Sequence, residues 1–184
     1  MAGNQATVLA ESRRWVARRA RGATLEIGVG AWPSLPHYPE GLELVGLDRQ
    51  SRAVVRARRA VTRAGRNATV IEGDAMALPF AEESFDTVVF SFSLCGVPEV
   101  RGALLESLRV LRPGGALLMA DHVVSTSRLV RVLQRVAETF TRPMFGEHFT
   151  RRPSVIVLEL DVQVLTLERS SKGAIERVHA VKPG

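Results

Sequence analysis

The sequence predicts an α/β fold with a doubly wound, mostly parallel sheet, and three observations predict it. From Ala23 onward short apolar strands alternate with helices, the order that builds β-α-β units. The run Asp86 to Phe92 is almost continuously apolar, as a parallel strand covered on both faces must be. The residues with chemical potential each follow a strand, and ligands of such sheets bind at the carboxyl ends of the strands.

Residues 6 to 20 read as an amphipathic helix, with Val8, Leu9, Trp15 and Val16 on one face and Arg14, Arg18 and Arg21 on another. It is expected to cap the domain; a lid or a foot on an anionic membrane is the alternative. Thr24 to Ile27 is a short strand leading into Gly28-Val29-Gly30, and Glu43 to Leu47 is a second strand ending at Asp48. A helix from Ser51 to Ala64 carries Arg52, Arg56, Arg59 and Arg63 as one solvated stripe. Ala68 to Ile71 is a third strand, followed by the loop Glu72-Gly73-Asp74, and Asp86 to Phe92 is the fourth. The helix from Val100 to Leu111 is stopped by Arg112-Pro113-Gly114-Gly115. Ala116 to Ala120 is a fifth strand ending at Asp121-His122, and residues 127 to 140 form a further helix. Ser154 to Leu160 has the β-branched content of a strand, although Pro153 is able to open a helix there. Val162 to Leu167 and Ala174 to Val181 read as a hairpin turning at Ser170 to Gly173.

The 184 residues suit one domain, and 46% hydrophobic with 24% charged residues is ordinary for a globular protein. No apolar run approaches the ~18 residues that span a bilayer. Met1 to Glu11 lacks the basic patch and apolar core of a secretory signal, so cytoplasmic residence is expected, with a membrane-peripheral location as the alternative. The single cysteine, Cys95, excludes an internal disulfide and a cysteine metal cluster, and reads as a small buried hydrophobe. The net charge of +6 is almost all arginine, with Lys172 and Lys182 the only lysines. One tyrosine and no interleaving of aromatic with basic residues argue against nucleic-acid binding.

Two sites carry chemistry. Glycines after the first strand let a ligand approach the backbone closely, and Asp48, twenty residues past Gly28, can accept hydrogen bonds from ribose hydroxyls. Together they indicate a nucleoside cofactor. Pro33 stands where a dinucleotide fingerprint needs its third glycine, which counts against a dehydrogenase. In the second site, Glu72 to Phe80, the carboxylate of Asp74 can accept from an adenine amino group. The N–H beside it can donate to a ring nitrogen, and Met76 can pack on the ring face.

These segments in this order resemble the class I methyltransferases that use S-adenosylmethionine. The resemblance rests on Leu25 to Gly30, Gly46-Leu47-Asp48, Glu72 to Phe80, Ser84-Phe85-Asp86 with its strand, and Leu111 to Gly115. Ser93 to Pro98, Asp121-His122-Val123, Gly146 to Pro153 and Gly173 to Arg177 are similar to the small bacterial UbiE-like and phospholipid N-methyltransferase-like group. The resemblance implies a Rossmann-like seven-stranded sheet ending in an antiparallel hairpin, preceded by a helix at 154–160. It implies one domain over 1–184, with a capping helix (1–22), a cofactor-binding core (23–122), an acceptor-pocket or lid segment (123–153) and a C-terminal unit (154–184). The cofactor is then held by Glu26, Gly28 and Gly30 in the first loop, with Glu26 orienting the methionine end. Asp48 takes the ribose with Arg49 beside it, Asp74, Ala75 and Met76 hold the adenine, and Ser91, Phe92 and Ser93 line the sulfonium.

Trp32 departs from the pattern, since it stands where the family's loop has a glycine. An indole there either fills part of the cofactor pocket or swings out to stack over the ligand. The first outcome leads to a degenerate, non-catalytic scaffold; the second keeps methyl transfer to a small-molecule or lipid-like acceptor by in-line displacement. If the acceptor atom carries a proton, His122 is the first candidate base, His148 with Glu147 the second, and Tyr38 with His37 the third. Asp121, His122 and His148 do not have the spacing of a metal motif, so no metal site is expected. The acceptor and the oligomeric state are not legible.

Overall fold

The computed structural model describes residues 2–128, 131, 132, 134, 136, 139, 151–170 and 173–184. Helix α1 (Ala2–Ala17) leads into β1 (Thr24–Ile27), and β2 (Leu44–Asp48) is followed by α2 (Ser51–Ala64) and β3 (Ala68–Glu72). Then come β4 (Phe85–Ser91), α3 (Val100–Val110), β5 (Leu111–His122), a short helix (Pro153–Val157), β6 (Gln163–Ser170) and β7 (Ile175–Val181). The seven strands form one sheet in the order β3-β2-β1-β4-β5-β7-β6. The first five strands are parallel, and β7 pairs antiparallel with both β5 and β6. Strand order reverses between β1 and β4, so a crevice opens there above the carboxyl ends.

Period-two alternation gives the sheet two cores. Leu25, Ile27, Val88, Phe90, Leu117 and Met119 face α3 and the short helix. Val89, Leu118 and Ala120 face α1 and α2, whose Val16, Ala17, Val54 and Ala57 complete that layer. The crossover from β1 to β2 contains no α-helix, only a 3-10 turn over Leu35–His37. Trp32, Leu35 and Tyr38 fill the space between α1 and α2 that a crossover helix usually covers.

Three expectations shift. Helix α1 begins at Ala2 rather than residue 6. Residues 153–157 are helical despite Val155, Ile156 and Val157, because Pro153 at the first turn has no N–H to leave unpaired and its φ suits a helix. The strand reading of 154–160 is thereby replaced by the helix that the family resemblance implies. Strand β5 begins at Leu111, which pairs with Phe85; Ala116 pairs with Thr87, so the Pro-Gly-Gly run bulges out of a strand already begun. Residues 128, 131, 132, 134, 136 and 139 are helical, within the expected 127–140. Glu147, His148 and the hairpin turn at 171–172 lie outside the described residues. No helix among the described residues is long and apolar enough to cross a membrane.

Candidate functional site

A cleft of about 150 Å³ lies at the crevice, lined by Ile27 and Gly28 after β1, Leu47 to Gln50 after β2, Gly73 to Ala75 after β3, and Ser93 with Gly96 to Pro98 after β4. A larger hollow of about 700 Å³ opens at the other end of β2 and β3, around Glu40, Glu43 and Arg66. None of the strand-end residues reaches it, so the smaller cleft is the candidate site.

Backbone hydrogen bonds knit the strand ends together. Gly28 N donates to Leu47 O at 2.7 Å and Gly73 N to Asp48 O at 3.1 Å. The Ser93 hydroxyl donates to Ile27 O at 2.7 Å. Gly28 has φ 76°, and a Cβ there would lie 2.5 Å from the Ser93 Cβ, so only glycine fits this approach. Asp48, 9% exposed, fixes two loops at once: its carboxylate accepts from Gly30 N and Gln50 N, both at 2.9 Å. About two of its four lone-pair positions stay available to a ligand. Asp74 accepts from Met76 N at 2.9 Å, which closes the turn after β3.

Six of the residues singled out in the sequence therefore line the cleft: Gly28, Asp48, Arg49, Asp74, Ala75 and Ser93. Gly30 acts on it through Asp48. Met76 packs into the α3 core instead of facing the cleft. Ser91, Phe92 and His122 sit at the ends of β4 and β5, outside the cleft lining. The wall at Gly96 to Pro98 carries only a family likeness in the sequence; it lines the site because the chain doubles back in a 3-10 turn at Leu94–Gly96. Buried Asp121 holds that turn, accepting from Leu94 N and from its neighbour His122 N, each at 2.7 Å.

Glu26 lies between Leu25 and Ile27 and so points to the opposite core, where it is 2% exposed. Three donors from the β1–β2 loop surround its carboxylate. They are Trp32 Nε1 at 2.6 Å, Ser34 Oγ at 2.7 Å and Tyr38 OH at 2.8 Å. Burial raises its pKa above the usual carboxylate range, and these hydrogen bonds oppose that rise. Trp32 itself, with φ 56° and 1% exposed, is not a cleft residue. The indole neither plugs the cleft nor stacks over it. It packs where Gly46 leaves room, since a Cβ there would come within 2.8 Å of its ring.

Among the described residues, the candidate bases His122, Tyr38 and His37 are tuned away from proton abstraction. Burial, helped by the Arg13 charge, lowers the His122 pKa to about 4, and burial raises Asp121 to about 6. Tyr38 is raised well above the ordinary phenol range by burial and Glu26, and His37 is lowered by burial and by Arg14, Arg18 and Arg13. The ligand atoms of Cys95, Asp121 and His122 lie within 4.8 Å of one another. Both Asp121 oxygens already serve backbone N–H groups.

A protein-family profile described as "Methyltransferase domain" matches residues 25–119. A demethylmenaquinone methyltransferase from Renibacterium salmoninarum is 35% identical over 153 residues, covering 73% of this chain and 62% of that protein. A phosphatidylethanolamine N-methyltransferase from Cereibacter sphaeroides is 37% identical over 103 residues, covering 55% and 51%. The chain thus spans about half to three-fifths of the length of these curated relatives. Among solved structures, a putative methyltransferase from Bacillus halodurans superposes with TM-score 0.76 at 16% identity, covering 97% of this chain and 100% of that one. The [4+2]-cyclase SpnF superposes with TM-score 0.76 at 17% identity, covering 96% and 80%. At these identities the structural likeness is one of fold.

Proposed function

This chain belongs to the methyltransferase-domain family, and on that premise we propose that it transfers a methyl group from S-adenosylmethionine to a small-molecule or lipid-like acceptor. The observation that carries the proposal is the convergence of Gly28, Asp48 and Asp74, from three strand ends, on one cleft at the switch point. The residues fit an adenosine. A bare glycine admits the ligand against the backbone, Asp48 keeps lone pairs for two ribose hydroxyls, and Asp74 with the Ala75 N–H offers the acceptor and donor an adenine edge needs. Trp32 belongs to the core and not to the cleft, so the basis for a non-catalytic scaffold falls away.

When bound, the sulfonium supplies an already activated methyl group, so the chain's work is alignment and exclusion of water. Asp48 orients the ribose, Val97 and Pro98 wall the cleft, and Asp121 keeps that wall in place by holding the Leu94 turn. His122, neutral near pH 7, is too weak a base to take a proton from an ordinary hydroxyl or ammonium. On the described residues, the acceptor that fits best is one that reacts with a lone pair already free, as an anion or a neutral amine, in an in-line displacement. The two relatives are named for demethylmenaquinone and phosphatidylethanolamine, and an acceptor of that lipid-like kind, met at a membrane surface from the cytoplasmic side, is the one we favour.

Calorimetry tests the reading. S-adenosylmethionine and S-adenosylhomocysteine are expected to bind at micromolar levels, and Asp48→Ala is expected to weaken both by ~1–3 kcal/mol through lost hydrogen bonds to a charged group. No heat with either ligand refutes the cofactor, and an unchanged affinity in D48A refutes the placement of the ribose.

A further inference from the structure

Helix α1 brings one arginine to the carboxyl edge of the sheet. Arg13 lies over the Phe92 ring, with its guanidinium carbon 5.0 Å from the centroid, and Phe92 in turn sits 4.9 Å from the His122 ring. Its charge acts on Glu26 at the top of β1 and on His122 at the end of β5. Arg13 is half-buried, yet its Nε is fully buried without a hydrogen-bond partner, and no carboxylate among the described residues lies within 4.0 Å of it. The Ser91 hydroxyl, at the end of β4, is likewise buried and unpartnered.

A buried donor without an acceptor is disfavoured unless something else satisfies it. Glu26, the acid whose charge acts on Arg13, is already occupied by Trp32, Ser34 and Tyr38. The guanidinium fork matches a carboxylate or similar oxyanion in two-point geometry. We propose that Arg13 is the receptor for a ligand oxyanion at the strand ends, beside Ser91, Phe92 and His122. This rests on the methyltransferase reading, which offers two sources of one chemistry: the carboxylate on the cofactor's amino-acid tail, or an acidic group on the acceptor. In the second case a fixed positive charge stabilises the acceptor as its anion.

The test compares the wild type with Arg13→Met, which keeps the stem over Phe92 and removes the fork. The probes are S-adenosylhomocysteine, 5′-methylthioadenosine (which lacks the amino-acid tail) and benzoate, by calorimetry and NMR titration. If the cofactor supplies the anion, R13M binds S-adenosylhomocysteine roughly tenfold or more weakly and methylthioadenosine unchanged. The unchanged probe also shows that the variant is folded. If the acceptor supplies it, both nucleosides bind R13M as they bind wild type, and saturable benzoate binding is lost. R13M matching wild type toward all three probes overturns the proposal. A wild type that binds neither nucleoside sinks the methyltransferase reading instead, and the benzoate arm still decides for or against the oxyanion site.

Discussion

Trp32 offers the sharpest test of how this protein accommodates a bulky residue in its first loop. The indole is 1% exposed and donates to Glu26 at 2.6 Å, so it is both core and counter-donor for a buried acid. Trp32→Phe keeps most of the buried ring and removes the donor. A hydrogen bond to a charged group contributes about 1.5–3 kcal/mol, so W32F is expected to lose about 2 kcal/mol. Trp32→Gly restores a backbone suited to φ 56° but empties the layer between α1 and α2. Truncating a buried aromatic costs about 3–5 kcal/mol, and relief of left-handed strain returns about 1–3, so W32G with its lost hydrogen bond should be about 4 kcal/mol less stable. Urea unfolding at pH 7 reads both values. A pH series adds a sign. Glu26 already has a raised pKa in the folded state, so its protonated form is favoured there and stability falls as pH rises through that pKa. Removing a donor raises the pKa further, so the W32F deficit should grow as pH rises through the value at which wild-type Glu26 ionises and be greatest above it. Neither variant should change S-adenosylhomocysteine affinity more than about threefold, apart from unfolding, which is within about 0.7 kcal/mol. The reasoning is refuted if W32G is as stable as the wild type and binds the nucleoside more tightly.

Gly28→Ala should lower nucleoside affinity and stability together, since the new Cβ meets the Ser93 Cβ at 2.5 Å and φ 76° is strained for alanine. Adding Ser93→Gly relieves the contact but not the strain, so differential scanning calorimetry should show partial recovery; full stability in G28A alone would contradict the geometry. Asp121 and His122 should oppose each other in acid. Asp121, raised to about 6, contributes stability that is full below its unfolded pKa and is lost as pH rises through 6, about 3 kcal/mol in all. His122, lowered to about 4, contributes about 3 kcal/mol that is present above its unfolded pKa and is lost as pH falls through 4. Between pH 4 and 6 the wild type should therefore be nearly flat, H122N should lose stability with rising pH, and D121N should gain it. Parallel slopes in both variants would disprove the assignment.

The strands and α2 were legible because their signals are local: alternation, a four-three-four arginine stripe and glycines at strand ends. Asp48 and Asp74 could be placed for the same reason, since a parallel sheet collects its strand ends on one side. The tertiary layer overrode local propensity at Val155 to Val157, where burial of Val157 and the proline start outweigh β-branching. The start of β5 was hidden because Leu111 pairs with Phe85 across a three-residue bulge that looks like a terminator. The fate of Trp32 was not readable, since nothing in the order Glu26, Trp32, Ser34, Tyr38 states that three donors fold back on one acid. Their polarity within a buried loop was the available clue.

Of the described strands, the one made last is not the outermost. β7 lies between β5 and β6, so β6 is synthesised before the only neighbour it has in the sheet. At typical ribosomal speeds the interval from residue 163 to residue 181 is on the order of a second, during which the outer edge of β5 stays open to pairing with another nascent chain. The arrival of β7 closes that edge, and Arg177 then reaches back 165 residues to the Ser12 hydroxyl of α1 at 3.0 Å. The bond from Arg177 clamps the closed sheet to α1, and a chain cut between Ser170 and Ile175 leaves both β5 and β6 without the strand that joins them.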